Sequence, residues 1–408
     1  MKQKIIKYCD KTIESFLYLL IFVLPFAKAA MQIFIGVMIL AWLIKNGFSL
    51  SGHKTITNDR PPANKKSIQA LFIFMVACAL STILSTDFAL SFEAFFSKVF
   101  KNILLCLIVA EIAVDKYRIR NTLLAFVCSS LFILVDGGVQ YFKGVDFLRH
   151  YRKDPTGLQA SFSNRNSLGG WLGMLIPVFT GIFISKNLFS KTVKKILLAL
   201  LLILLMVCLV VTYSRASWLG LMLSFLFMGY LYLRLLNNRR VTWLVIMMII
   251  ILSVVAFLVL PNTVKTRVTS MVRIENSNLF RINLWKESID IIKDFPLFGA
   301  GLNTYTRVGR LYVESGGGYY PHNSYLQMAA EIGILGLLAF LWFLFNVFEL
   351  GVGLFKKTKD CLLLGLLAAL IVFLTQSLFD VNIYALQLAT LFWIVLGLTM
   401  ARCMFLTE

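Results

Sequence analysis

An all-α polytopic membrane protein, with about twelve transmembrane helices and one large helical outer loop, is the fold class that the sequence predicts. Three observations carry that expectation. Of the 408 residues 59% are hydrophobic, and the mean hydropathy is +0.81, more apolar character than a soluble chain of this size buries. Apolar runs of roughly 17–25 residues, the length that crosses a bilayer, recur from end to end. Lys and Arg outnumber Asp and Glu by 40 to 20, and they gather in alternate connections between the runs, as they do in cytoplasmic loops.

The runs lie near residues 14–27, 29–45, 68–85, 97–114, 121–140, 167–185, 194–212, 217–236, 241–260, 323–349, 361–379 and 385–402. They divide the chain into membrane helices at 1–260, a loop domain at 261–322 and further membrane helices at 323–408. The first run follows Lys2, Lys4, Lys7 and Lys11, no small-residue cleavage site follows it, and more runs come after, so a retained first helix is expected. Pro25 and Lys28 mark either a tight turn or a kink in one long helix.

Orientation follows from the bases. Lys54, Arg60, Lys65 and Lys66 occupy the loop 46–67, and Lys116, Arg118 and Arg120 the next basic turn. Lys186, Lys191, Lys194 and Lys195, then Arg239 and Arg240, then Lys356, Lys357 and Lys359 continue the series. Every second loop is basic, which puts those loops and both termini in the cytoplasm. Two opposite-side loops are basic as well. Residues 141–166 carry Lys143, Arg149, Arg152, Lys153 and Arg165; residues 261–322 carry Lys265, Arg267, Arg273, Arg281, Lys286, Lys293, Arg307 and Arg310. Long loops translocate regardless of charge, but enrichment on that side points to an outward surface for an anion.

Within the larger loop, Ser277 or Asn278 is placed to cap a helix running to about Asp294 and stopping at Pro296. Ile282, Trp285, Ile289 and Ile292 make its apolar stripe, which would lie on the membrane domain. Gly316, Gly317 and Gly318 loosen the stretch before Tyr319. The seven cysteines, Cys9, Cys78, Cys106, Cys128, Cys208, Cys361 and Cys403, form no CxxC pair and read as small apolar residues.

Three residues stand out for chemistry. His322, one of three histidines, sits at the outer start of the tenth run, and imidazole is the side chain best matched to proton transfer near neutral pH. Pro321 fixes its approach and Asn323 is a plausible helix cap. Arg215, in "TYSRASWLG", precedes a helix N-terminus, where a cation is disfavoured unless an anion joins it. Arg281 repeats the pattern in the first turn of the loop helix. Two such arginines would suit a pyrophosphate gripped bidentately. By contrast "GAGLN" at 299–303 follows no strand and is no dinucleotide fingerprint, and no D-x-D, HExxH or Walker loop occurs. Asp290 and Asp294 share a helix face with Lys286 and Lys293 beside them, as on a solvated surface.

The stretch "RINLWKESIDIIKDFPLFGAGLNTY", followed after a variable loop by "PHNSYLQMAAEIGILGLLAFL", resembles the outer-loop signature of the O-antigen ligase family. That family shares this region with O-antigen polymerases and protein O-oligosaccharyltransferases. "TYSRASWLG" resembles its S-R motif and "SFSNRNSLGGWL" its F-x-N-x-N motif. The resemblance implies a fold like the class C glycosyltransferases and a metal-independent, inverting glycosyltransfer on the periplasmic face of the bacterial inner membrane. The implied donor is a glycan on undecaprenyl pyrophosphate, and the acceptor is a sugar hydroxyl of lipid A core or another glycan. It carries His322 over as general base and Arg215 and Arg281 as pyrophosphate clamps. Asn323, Tyr325, Asn164, Arg165 and Asn166 fall in its motifs as substrate-binding positions. No cofactor and no nucleic-acid partner are expected; the bilayer itself is the other partner. A polymerase or a protein transferase would use the same chemistry on another acceptor. A lipid-linked oligosaccharide transporter would need charges within the spans that the sequence lacks, and a structural scaffold would not need arginines at helix starts.

Overall fold

The computed structural model describes residues 2–49, 65–185, 192–235, 276–312 and 318–407. The expected span 241–260 lies outside them, as do Lys54, Arg60, Lys186, Lys191, Arg239, Arg240, Lys265, Arg267, Arg273, Gly316 and Gly317. The described elements are helical, with only isolated bridges such as Val145 to Arg152 in an extended pairing.

In chain order they are α1 (Lys2–Val23), α2 (Lys28–Ser49), α3 (Lys65–Ile83), α4 (Phe88–Ala94), a π-helical segment (Phe95–Phe100), α5 (Lys101–Ile112), α6 (Lys116–Lys143), α7 (Arg165–Ile184), α8 (Thr192–Val211) and α9 (Arg215–Leu235). There follow α10 (Asn276–Asp294), α11 (Tyr305–Gly309), α12 (Ser324–Thr358), α13 (Cys361–Gln376) and α14 (Leu386–Thr407). Among the described residues, 8 helices are long and apolar enough to cross a membrane, and α13 is a shorter apolar helix. The chain is a helical multi-pass membrane protein. All seven cysteines are free.

Two compact units divide the chain: one is Met1–Val135, Asn283–Leu354 and Ser377–Glu408, the other Asp136–Ile282 and Phe355–Gln376. In the first, Pro25 resolves as a turn, with α1 and α2 separate helices. Proline cannot donate to the ladder, so the chain breaks there. The carbonyls left over at Leu24 and Pro25 accept from the Gln387 side chain at 3.0 and 2.7 Å. At the far end of the same helices, buried Lys45 lies 2.6 Å from both Asp10 and Glu111.

The apolar run of α12 is not one helix. Gly333 has φ +71° and ψ 174°, and the helix breaks there. The groups freed by the break are taken by the loop after α10: Ala300 N donates to Ala330 O at 2.8 Å, Gly301 N to Glu331 O at 2.9 Å, and Ile334 N to Pro296 O at 2.9 Å. Main chain meets main chain, so there is no room for side chains. A Cβ on Gly299 (φ +71°) would lie 2.3 Å from the Glu331 carbonyl carbon, and one on Gly333 would lie 2.0 Å from Leu297 O. The glycines of "GAGLN" and "EIG" are therefore spacers for a backbone interface within a membrane protein, where unpaired backbone groups cost several kcal/mol each. Gly299→Ala is expected to lose at least about 1–3 kcal/mol through backbone strain alone, read as a lower unfolding midpoint in detergent. Gly353→Ala, on α12 with nothing within 4 Å of its added Cβ, is the control and should be neutral or stabilising.

The second unit is held by close helix approach. Cβ atoms added at Gly169, Gly173, Gly181 and Gly220 would all come within 3.0 Å of neighbouring atoms, among them Val372 and Cys361 of α13. Small residues let helix backbones approach where no hydrophobic force acts between helices in lipid. The basic loop after α6 is folded on acids and amides. The Asp146 carboxylate accepts from Leu148 N and Arg149 N, and the Gln140 carbonyl accepts from Gln159 N and Ala160 N. With the acids committed to backbone, the bases stand outward on aromatic rings: Lys153 lies 4.3 Å from the Tyr141 ring centre and Arg149 5.2 Å from that of Tyr151.

Two expectations for the loop helix need correction. Ser277 and Asn278 lie inside α10, which already includes Asn276, so Arg281 sits in the second turn and not the first. Ser and Asn are only mildly disfavoured in a helix, so their cap preference does not fix its start. The inward stripe is also one register away. Ile282 and Ile289 are exposed, while Leu284, Ser288 and Ile291 are buried. Ser288 counts as polar in a hydrophobic pattern, but its hydroxyl is satisfied internally, donating to Leu284 O at 2.7 Å and pairing with Tyr305 OH at 2.7 Å.

Candidate active site

His322 stands in a turn whose geometry is built on all sides. Its φ is +48°, a left-handed conformation uncommon outside glycine. The Trp285 indole donates to Pro321 O at 2.9 Å, tying the turn to α10. Asn323 caps α12 as expected, its side-chain oxygen accepting from Tyr325 N at 3.0 Å and Leu326 N at 3.1 Å. Ser324 N donates to Ser377 O, and Ser324 Oγ to Asp380 O, both at 2.8 Å. These bonds lace the head of α12 to the segment between α13 and α14.

That lacing brings up an acid the sequence reading did not single out. Asp380 Oδ1 lies 3.6 Å from His322 Nδ1, too far for a hydrogen bond but within ion-pair reach. Nδ1 is itself buried with no hydrogen-bond partner. The side chain as a whole is 40% exposed, so solvent reaches the far edge of the ring. An imidazole with one nitrogen facing a carboxylate and its other edge open is arranged to take a proton from outside. The signal for Asp380 was present as an acid in a short turn between two apolar runs. It was overlooked because attention went to the bases. Tyr325 is half-buried beside the same turn.

The support behind this turn is a buried polar network. Asn303 N donates to Glu331 Oε2 at 2.9 Å and Lys98 Nζ to Asn303 Oδ1 at 2.7 Å. Burial pushes the Tyr384 phenol well above its ordinary range, and the Glu331 carboxyl adds to that, so Tyr384 stays a donor to Glu331. Burial also raises Tyr305 to about 12 against the opposing hydrogen bond from Ser288. These groups fix the loop and are not poised to titrate near neutrality.

In the other unit, Arg215 is the first residue of α9 and half-buried, with Ser214 and Ser217 joined hydroxyl to hydroxyl at 2.9 Å. Asn164 caps α7, accepting from Ser167 N at 2.8 Å. Arg165 donates to Thr156 O, and the Asn166 carbonyl accepts from Gln376 Nε2 at 2.7 Å. The heads of α7 and α9 meet, because a Cβ on Gly169 would lie 2.6 Å from Ser217 Oγ and 2.8 Å from Ser214 Cβ. The structure thus brings Arg165 and Arg215 to adjacent helix N-termini. His322, Asn323 and Tyr325 gather with Asp380 in the first unit. Arg281 is half-buried on α10. Among the described residues no group of His, Cys, Asp and Glu is placed to hold a metal ion.

No curated protein matches the chain. The family model described as O-antigen ligase matches residues 198–341, from the body of α8 into α12, and so encloses Arg215, Arg281 and His322. Members of that family are glycosyltransferase-like enzymes, ligases or polymerases. The match over residues 198–341 assigns this membrane protein to the O-antigen ligase family.

Proposed function

We propose that the protein transfers a glycan from undecaprenyl pyrophosphate to a sugar hydroxyl of lipid A core, with inversion and without a metal, on the periplasmic face of the inner membrane. The observation that carries this reading is the half-exposed imidazole of His322 backed by Asp380 at the head of an apolar helix. In this scheme the neutral imidazole takes the acceptor's proton as its oxygen attacks the anomeric carbon from the face opposite the pyrophosphate. Asp380 stabilises the imidazolium that forms. Arg215 and Arg281 neutralise the leaving pyrophosphate, so guanidinium groups serve where other enzymes use a cation. Arg165, Asn164, Asn166, Asn323 and Tyr325 line the substrates' approach. About twelve spans, with both termini cytoplasmic, place 261–322 as the periplasmic loop. Thiol labelling of single-cysteine variants at positions 52 and 315 should occur from opposite sides; labelling of both from one side refutes that topology.

The test is transfer in vitro from the lipid-linked glycan to lipid A core, a growing glycan and a protein acceptor in parallel, with and without EDTA. Product on lipid A core, undiminished by EDTA, supports the proposal. Product on the growing glycan or the protein alone makes the enzyme a polymerase or a protein transferase. Loss on chelation with rescue by magnesium overturns the arginine scheme.

Asp380→Asn tests the positioning role. The carboxylate is worth roughly 1–2 kcal/mol to a partly exposed imidazolium, so turnover should fall about 10–30-fold with KM held. The acid limb of the pH–rate profile should move to lower pH, since a histidine without its carboxylate holds a proton less well. A residue of merely structural importance would lower yield without moving that limb.

A further inference from the structure

Between α8 and α9 runs an open cleft of about 280 Å³ with an entirely apolar lining, including Met206 and Val210 from α8 and Trp218, Met222, Phe225 and Leu226 from α9. We infer that it seats the isoprenoid chain of a polyprenyl pyrophosphate, with Arg215 at its head; this rests on the donor class proposed above. The register supports it. Trp218, Met222, Phe225 and Leu226 follow Arg215 by 3, 7, 10 and 11 residues, which puts all of them on the side of α9 that Arg215 heads. At about 1.5 Å per residue the stripe begins about 4.5 Å beyond Arg215 and extends for about 12 Å. The opposite side of α9 is committed to α13, where a Cβ on Gly220 would lie 2.9 Å from Val372 O.

The wall offers hydrocarbon and nothing else. Its indole nitrogen, on Trp218, already donates to Leu209 O at 3.1 Å. Met206 and Met222 are partly exposed in it, and flexible thioethers accommodate irregular, branched chains. An apolar cleft in a membrane accepts any acyl chain. What selects a polyprenyl pyrophosphate is the cation in register above it, joined by Arg165 at the neighbouring helix head, since two guanidinium groups suit a diphosphate better than a single phosphodiester.

The experiment uses the full chain in nanodiscs and a C55 polyprenyl pyrophosphate bearing a diazirine in its first isoprene units, with labelled peptides mapped after irradiation. Labelling of the α8 and α9 segments, competed by unmodified C55 pyrophosphate and not by excess phosphatidylglycerol, supports the inference. Label spread over other helices, or competed equally by phosphatidylglycerol, overturns it and leaves an ordinary bilayer lipid in the cleft. Met222→Trp and, independently, Leu226→Trp should shrink the preference for a C55 donor over a two-isoprene donor by about tenfold, the value of roughly two methylene groups removed from contact. An undiminished preference in both well-inserted variants also overturns it. Labelling needs no transfer, so label in the cleft without glycan transfer defeats the functional proposal and keeps the cleft. Transfer with label elsewhere does the reverse.

Discussion

His322→Gln is expected to insert, bind donor and turn over about 10²–10⁴-fold more slowly, the usual contribution of a general base. His322→Ala should lose as much. Gln is the informative variant, because an amide still hydrogen-bonds yet cannot usefully accept the proton. The expectation comes from geometry: the ring's Nδ1 edge is buried toward Asp380 and its other edge is open. If His322 merely held the acceptor, Gln would retain most of the turnover, and the rate would show no titration belonging to this residue. A well-inserted His322→Gln protein with near-normal turnover ends the general-base assignment while leaving the family assignment untouched.

Arg215→Ala should lower turnover by about 10²–10³-fold, the usual loss when a preorganised electrostatic stabiliser of developing charge is removed. Arg215 opens α9, where the helix dipole disfavours a cation unless an anion is bound. Donor affinity should fall with turnover, because the pyrophosphate carries its charge before and after transfer. Arg281→Lys should also be impaired, since a planar fork becomes a point charge. Single-turnover rates and donor binding measured on purified variants decide it: normal values in both Arg→Ala variants remove these residues from the mechanism. The place of Arg281 in the second turn of α10 means that its effect must come from its side chain alone, without the helix-start argument that serves Arg215.

Most helices were legible because a bilayer sets their length and polarity together, and the apolar runs fall on α2, α3, α6, α7, α8, α9 and α14 with ends displaced by a few residues. What could not be read was conformation that hydropathy does not encode. The break at Gly333 lies inside an unbroken apolar run, and its cause sits in the loop before α11, joined to it by main-chain bonds. The buried stripe of α10 was misplaced because Ser288 is polar by type and apolar by circumstance. Asn323 was readable as a cap because capping is local chemistry. Asp380 was not, since its pairing with His322 spans 58 positions and exists only after the head of α12 is laced to the segment behind α13.

The glycine-spaced contact between 296–301 and 330–334 separates what the matched stretch recognises from what it does. Gly299, Gly301 and Gly333 serve backbone proximity, while His322 and Asp380 stand at the rim of that contact and contribute nothing to its hydrogen bonds. A chain that kept the glycines and exchanged His322 would fold alike and still carry most of the signature within 198–341. Membership can thus outlive activity in this architecture. The same separation makes it a favourable host for redesign: acceptor-side residues can be exchanged around a scaffold whose folding does not depend on them.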